Sequence, residues 1–119
     1  MQVIGGGLAV IRYTRIDKMN FPYIKEQYVS GTSWYRIWSD GWIEQGGRVA
    51  QQAYGVRNVN FLKAFKNTNY SLIVTFTNGS TAPKSAGDGN TDTVGNCTTT
   101  GFSTMTDNNF GTNWRACGF

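Results

Sequence analysis

Few residues in this 119-residue chain can do covalent chemistry. Histidine is absent, which removes Ser-His-Asp and Cys-His nucleophilic catalysis and most zinc sites. Cys97 and Cys117 have no neighbours of metal-ligand type in the sequence. Gly5-Gly6-Gly7 lacks the lysine and the spacing of a phosphate-cradling loop. Glycoside hydrolysis needs two carboxyls facing each other across a sugar, and Glu26, Asp40 and Glu44 are the candidates to meet. Asp40 follows a serine and precedes a glycine, a turn position that suits aspartate. Glu44 is expected to face Arg36. Structural roles therefore take precedence, and the sequence predicts no catalytic residue, no metal and no cofactor.

Binding chemistry is better supplied. Sugars are held by aromatic faces together with amide, carboxylate and hydroxyl groups whose directions the fold sets. Two polar stretches offer that set. One runs from Asn78 to Thr93 and carries Lys84, Asp88, Asn90 and Asp92; the other, over 107–112 and just beyond, carries Asn108, Asn109, Phe110 and Asn113. A loop as long as the first is usually functional or disordered, and rigid scaffolds commonly present function on loops. Trp34, Trp38 and Trp42 could also stack on sugars, but are expected in the core or at a subunit interface.

Those three tryptophans stand in the stretch around which the rest is organised, Ser33-Trp34-Tyr35-Arg36-Ile37-Trp38-Ser39-Asp40-Gly41-Trp42-Ile43-Glu44-Gln45-Gly46-Gly47. Aromatic and β-branched residues on both sides of Asp-Gly form a strong hairpin signal. A two-residue loop would set Ile37 against Glu44 and Trp38 against Ile43. A three-residue loop, with Gly41 left-handed in a bulge, pairs Trp38 with Trp42, Ile37 with Ile43 and Arg36 with Glu44. The second register matches like with like and opposes opposite charges, each pair contributing roughly 0.2–1 kcal/mol. It is the predicted one. Tyr35, Ile37 and Ile43 then share one face; Trp34, Arg36, Trp38, Trp42 and Glu44 share the other. Both faces are too apolar for a monomer's surface, so one should meet the core and the other a second chain.

The remaining elements follow from period-two alternation. Strands are predicted over 8–13 and 23–29, with Pro22 interrupting any ladder before the second. The hairpin is expected to close at Gly46-Gly47, and 48–55 to hold a short strand. Over 56–61, Arg57, Val59 and Phe61 alternate with Val56, Asn58 and Asn60. The clearest alternation sets Tyr70, Leu72, Val74 and Phe76 against Ser71, Ile73, Thr75 and Thr77. Strands over 94–99, 102–105 and 114–119 complete the chain. No helical periodicity extends over ten residues, so short strands separated by turns predict an all-β antiparallel sandwich.

Composition sets the outer bounds. Charged residues make up 15% and aromatics 14%, against a usual charged share of about a quarter. Such a surface suits a subunit that hides much of itself in an oligomer. The +4 net charge is uneven: residues 1–66 hold nine of the eleven basic residues. They are scattered singly and form no block, which argues against nucleic acid. Attraction to anionic polymers is compatible with them. No run of 18 apolar residues occurs, and the first residues do not read as a secretory signal. The sequons at Asn69, Asn78 and Asn96 would matter only in a secreted chain. Two cysteines are too few for a disulfide framework.

The hairpin stretch resembles the signature of the gp53-like family of phage tail-fibre C-terminal domains. Val59-Asn60-Phe61-Leu62-Lys63-Ala64-Phe65-Lys66-Asn67-Thr68-Asn69-Tyr70 is similar to that family's step into a strand. Thr99-Thr100-Gly101-Phe102 and the closing Trp114-Arg115-Ala116-Cys117-Gly118-Phe119 are similar to its final third. The resemblance covers residues 23–119, leaving 1–22 as a lead segment at the end of a fibre shaft. It implies a homotrimer of β-sandwich protomers with a layout like that of the H-type lectins. The domain would sit at the distal end of a virion's tail fibre, assembled in the host cytoplasm and joined to the rest of the fibre. Thiols stay reduced in that cytosol, so Cys97 and Cys117 are expected as buried free thiols, with a bridge after lysis open only if their strands are neighbours. Its partner would be a bacterial surface glycan, lipopolysaccharide or capsule, or an outer-membrane protein. The alternatives are a polysaccharide depolymerase and a structural cap that trimerises the fibre.

Overall fold

The computed structural model describes residues 21–78, 93–106 and 110–119. The lead segment except Phe21 and Pro22, the expected strand over 8–13, and most of the two polar loops lie outside these residues. Eight strands are present: β1 (Ile24–Ser30), β2 (Ser33–Trp38), β3 (Ile43–Gln52), β4 (Gly55–Asn60), β5 (Ser71–Asn78), β6 (Thr93–Thr98), β7 (Gly101–Thr106) and β8 (Phe110–Gly118). No helix occurs among the described residues. The strands form a five-stranded sheet, β1-β2-β3-β8-β5, and a three-stranded sheet, β4-β7-β6. Every pairing is antiparallel. The all-β antiparallel reading of the sequence holds.

The β2–β3 hairpin takes the three-residue register. Ile37 pairs with Ile43, Arg36 with Glu44 and Tyr35 with Gln45. The Trp38 amide donates to Trp42 O at 2.8 Å, and the Gly41 amide to Trp38 O at 2.9 Å. Gly41 adopts a φ of 94°, a conformation that costs glycine little and other residues much. The Asp40 carboxylate accepts from the Trp42 amide at 3.0 Å, so aspartate closes the turn as its position suggested.

One expectation fails instructively. Gly46-Gly47 does not end the hairpin; β3 runs straight through it to Gln52. These glycines serve close packing. A Cβ on Gly46 would stand 2.8 Å from Trp114 O and 3.0 Å from two atoms of the Trp34 indole. One on Gly47 would stand 3.1 Å from Trp114 Nε1. Two tryptophans from other strands occupy the space that side chains would need. The short strand expected over 48–55 is therefore the second half of β3, then a two-residue bend at Ala53 and Tyr54 before Gly55 opens β4.

Between the sheets lies a core of Ile43, Val59, Phe65, Phe102, Trp114 and Ala116. Phe61 is its hub. Its ring centroid lies 5.2 Å from those of Phe65 and Tyr70, 5.5 Å from Trp114 and 5.8 Å from Phe102. The contacts to Phe65 and Tyr70 are edge-on and those to Phe102 and Trp114 tilted; aromatic pairs of this kind contribute about 0.5–1.5 kcal/mol beyond area burial. Phe61, Phe65 and Tyr70 come from the irregular crossover that joins β4 to β5. Gln45, fully buried in β3, holds that crossover: its Nε2 donates to Lys63 O at 2.7 Å, and its Oε1 accepts from the Lys63 amide at 3.1 Å. One side-chain amide satisfies both backbone groups of a residue that no strand partners.

The core changes character along its length. Phe102 of β7 meets Trp114 of β8 at 5.7 Å, and only residues 107–109 separate these two strands in sequence. Moving toward that connection, Thr104 and Thr106 on β7 and Thr112 on β8 take interior positions between Trp114 and the buried Phe110. All three are almost wholly buried, and their hydroxyls have no partner among the described residues. Arg57 is buried at the same end of β4, its Nη2 donating to Ala53 O at 2.9 Å. The cysteines also depart from expectation. Both are free, but Cys97 is exposed, because β6 is a sheet edge with every side chain in solvent; Cys117 is half-buried.

Two stability outcomes are expected. Gln45→Leu should lower unfolding free energy by about 2–3 kcal/mol in urea titrations, because both Lys63 backbone groups lose a buried partner. Thr112→Val should instead raise it by about 1 kcal/mol, because a buried hydroxyl without a partner is removed at constant volume.

Candidate functional site

Alternation along β2 and β3 turns one set of side chains away from the core, onto the outer face of the five-stranded sheet. Trp34, Arg36, Trp38, Trp42 and Glu44 lie there, joined by Arg115 from β8, whose backbone pairs with Gly46. The Trp34 indole rests against Gly46. The guanidinium carbons of Arg36 and Arg115 stand 5.8 and 5.7 Å from its ring centroid, within the range of cation–π attraction. The Glu44 carboxylate takes the Trp38 indole N–H on one oxygen and Arg115 Nη2 on the other, each at 2.5 Å. Trp42 packs edge-on against Phe119, with centroids 5.0 Å apart. All three tryptophans are half-buried within the protomer.

Arg36 is Glu44's cross-strand neighbour, as expected, but it is not the ion-pair partner. Arg115 holds that place, and Arg36 remains exposed above Trp34. Beside it, a surface groove of about 390 Å³ runs between β1 and β2, lined by Gln27, Tyr28, Val29, Trp34, Tyr35 and Arg36. The register places Gln27 opposite Arg36 and Val29 opposite Trp34, all on the outer face.

A second polar cluster stands on the opposite face. Tyr35 donates its hydroxyl to Glu26, and Lys63 Nζ pairs with the same carboxylate oxygen at 3.2 Å. Lys63 also lies 4.9 Å from the Tyr35 ring centroid, and Tyr28 stacks on Tyr35 at 5.7 Å. The Tyr35 hydroxyl, and after it Lys63, hold the Glu26 carboxyl below the usual carboxylate range. In turn the Glu26 carboxylate pushes the Tyr35 hydroxyl and the Lys63 ammonium upward. The cluster ties the β1–β2 ribbon to the crossover.

Of the carboxyls that might have formed a hydrolytic pair, Glu26 and Glu44 lie on opposite faces of one sheet, and Asp40 is engaged in its turn. They do not converge. The residues predicted for the polar loops divide differently. Lys84, Asp88, Asn90, Asp92, Asn108 and Asn109 lie outside the described residues. Phe110 does not tip a loop: it opens β8 and is buried at 4% exposure. Asn113 lies in β8, half-buried, and donates to Thr77 Oγ1 at 2.6 Å. Sequence reasoning missed Arg115 as part of the tryptophan face. No local signal could reveal it, because it reaches Glu44 from 71 residues away.

Comparison with known proteins gives a consistent picture. The family model described as "tail fiber protein gp53-like, C-terminal" matches residues 36–119. Three solved structures share the fold. An N-truncated R2-type pyocin tail fiber is similar with a TM-score of 0.57 and 20% identity, covering 82% of this chain and 39% of that one. A C-terminal piece of the Pseudomonas aeruginosa R2 pyocin fiber gives 0.56 and 20%, covering 79% and 26%. An N-truncated R1-type pyocin tail fiber gives 0.55 and 16%, with each chain covered in full. The chain thus spans well under half of the two R2-type fiber chains. No match is found among curated protein sequences.

The polar cluster yields a pH dependence whose sign follows from Glu26. A carboxyl with a lowered folded pKa adds stability that is present above its unfolded pKa and is lost as pH falls through the folded value. Thermal melts should therefore show wild type losing its advantage over Glu26→Gln as the pH drops below the carboxylate range. Parallel pH curves for the two proteins would contradict this.

Proposed function

Because the chain belongs to the gp53-like tail-fibre C-terminal family, we propose that it is the receptor-binding tip of a fibre. In this reading it sits at the distal end of the fibre, on a phage-type particle, and attaches to a glycan on the bacterial surface. The observation that carries the reading is the family match over most of the domain, from the hairpin to the last strand. The likeness of fold to pyocin tail fibers supports it.

The physical character of the surface agrees. Attachment by binding alone is favoured over depolymerisation, since the carboxyls of the described residues point apart. Single sugar contacts are weak, and a homotrimer would convert them to firm attachment through effective concentration. The exposed Val56, Ile73 and Val94 are apolar surface that packing between protomers would cover. The polar loops that carry Lys84 and Asn109 join the described strands at the same end of the sandwich and would extend the contact. A domain serving only as a trimerising cap would need no such affinity.

The test is competition for adsorption. The purified protein should occupy receptors on susceptible cells and slow attachment of the particle that bears it, without releasing oligosaccharide from isolated lipopolysaccharide or capsule. Steady release of oligosaccharide would establish the depolymerase. Unimpeded adsorption in the presence of intact trimers would leave the structural cap.

A further inference from the structure

We infer that the groove between β1 and β2 binds an acidic sugar, with Arg36 taking its carboxylate or phosphate and Trp34 its apolar ring face. This rests on the receptor-binding reading and names both the ligand class and the place.

Charge is the first argument. The described residues hold seven lysines and arginines against three acids, Glu26, Asp40 and Glu44. Each acid is already engaged: Glu26 by Tyr35 and Lys63, Asp40 by the Trp42 amide, Glu44 by Trp38 and Arg115. Arg115 is correspondingly neutralised. Arg36 has no carboxylate partner among the described residues, and its guanidinium stands over Trp34. A second copy of the described surface offers no free acid to meet it. An anionic ligand does. A planar guanidinium matches a carboxylate or phosphate with two parallel hydrogen bonds, and stacking on an aromatic face leaves those donors directed outward.

Shape is the second argument. The groove's volume of about 390 Å³ falls at the small end of the ~300–1,000 Å³ typical of ligand sites, enough for one or two sugar rings. Its walls combine the groups a sugar needs. Trp34 and Val29 supply apolar surface, Gln27 an amide, and Arg36 the charge. Trp34 is held by Gly46 beneath it and two guanidinium groups beside it, so little ordering would be required on binding.

The experiment is a binding panel of bacterial oligosaccharides bearing uronic acid, 3-deoxyoctulosonate or phosphate beside neutral counterparts, read together with adsorption competition. Wild type should select acidic members, and its binding should weaken as salt rises. Arg36→Gln should lower affinity about tenfold, and Arg36→Lys should recover part of the loss. Arg48→Gln, a charge change on the same sheet outside the groove, should have little effect. Equal binding of neutral sugars, or unchanged affinity in Arg36→Gln, overturns the assignment. So does a shift in oligomeric state in that variant by light scattering, which would make the groove a protomer interface. If wild type blocks adsorption yet binds nothing on the panel, the acidic-sugar site fails while receptor binding stands. If it neither blocks adsorption nor binds, the receptor-binding reading fails first.

Discussion

The bidentate hydrogen bond between the Gln45 side chain and the Lys63 backbone is the constraint on which the architecture depends. The β4–β5 crossover has no regular structure, yet it supplies Phe61, Phe65 and Tyr70 to the core. A segment like this carries backbone groups that must be satisfied where water is excluded. Gln45 satisfies two at once from the middle of the large sheet, and the aromatic cluster closes over the result. Lys63 then points its ammonium at Glu26, so the same residue that anchors the crossover also anchors the β1–β2 ribbon.

The ribbon's two faces divide the labour. Inward, Ile37 and Ile43 join the core and Tyr35 reaches Glu26. Outward, Trp34, Arg36, Trp38 and Glu44 form a cationic aromatic surface. The alternation of a β-strand makes this separation automatic, so one short sequence both builds the domain and decorates it. On the outer face Glu44 and Arg115 neutralise each other, whereas Arg36, over Trp34, has no carboxylate partner among the described residues.

The tolerance for polar residues inside the sandwich has its own logic. The aromatic end of the core, around Phe61 and Trp114, supplies the packing. The threonine end, with Thr104, Thr106, Thr112 and Arg57, forgoes some of it. That end faces the connections carrying the polar loops, whereas the aromatic end faces the crossover. Stability is concentrated where the chain is irregular and must be held, and relaxed toward the connections.

Local signals in the sequence were enough for a great deal. Side-chain alternation named most strands, matching of cross-strand pairs around Asp40-Gly41 selected the hairpin register, and three ordered motifs carried the resemblance to the family. Each of these depends on residues close together in the chain, where period two and turn chemistry leave few choices. What local signals could not settle was every matter of partnership across the sheets. Gly46 and Gly47 looked like a turn and proved to be seats for Trp34 and Trp114. Glu44 faced Arg36 by register and paired with Arg115. Phe110 looked like a loop tip and went inside. Gln45 was an unremarked polar residue on an inward face, although alternation from Ile43 already placed it there. The chain itself determined which residues lie on which face of which strand; tertiary packing alone decided what each of them touches, because contacts between strands 20 to 70 residues apart depend on how whole sheets stack rather than on any neighbouring sequence.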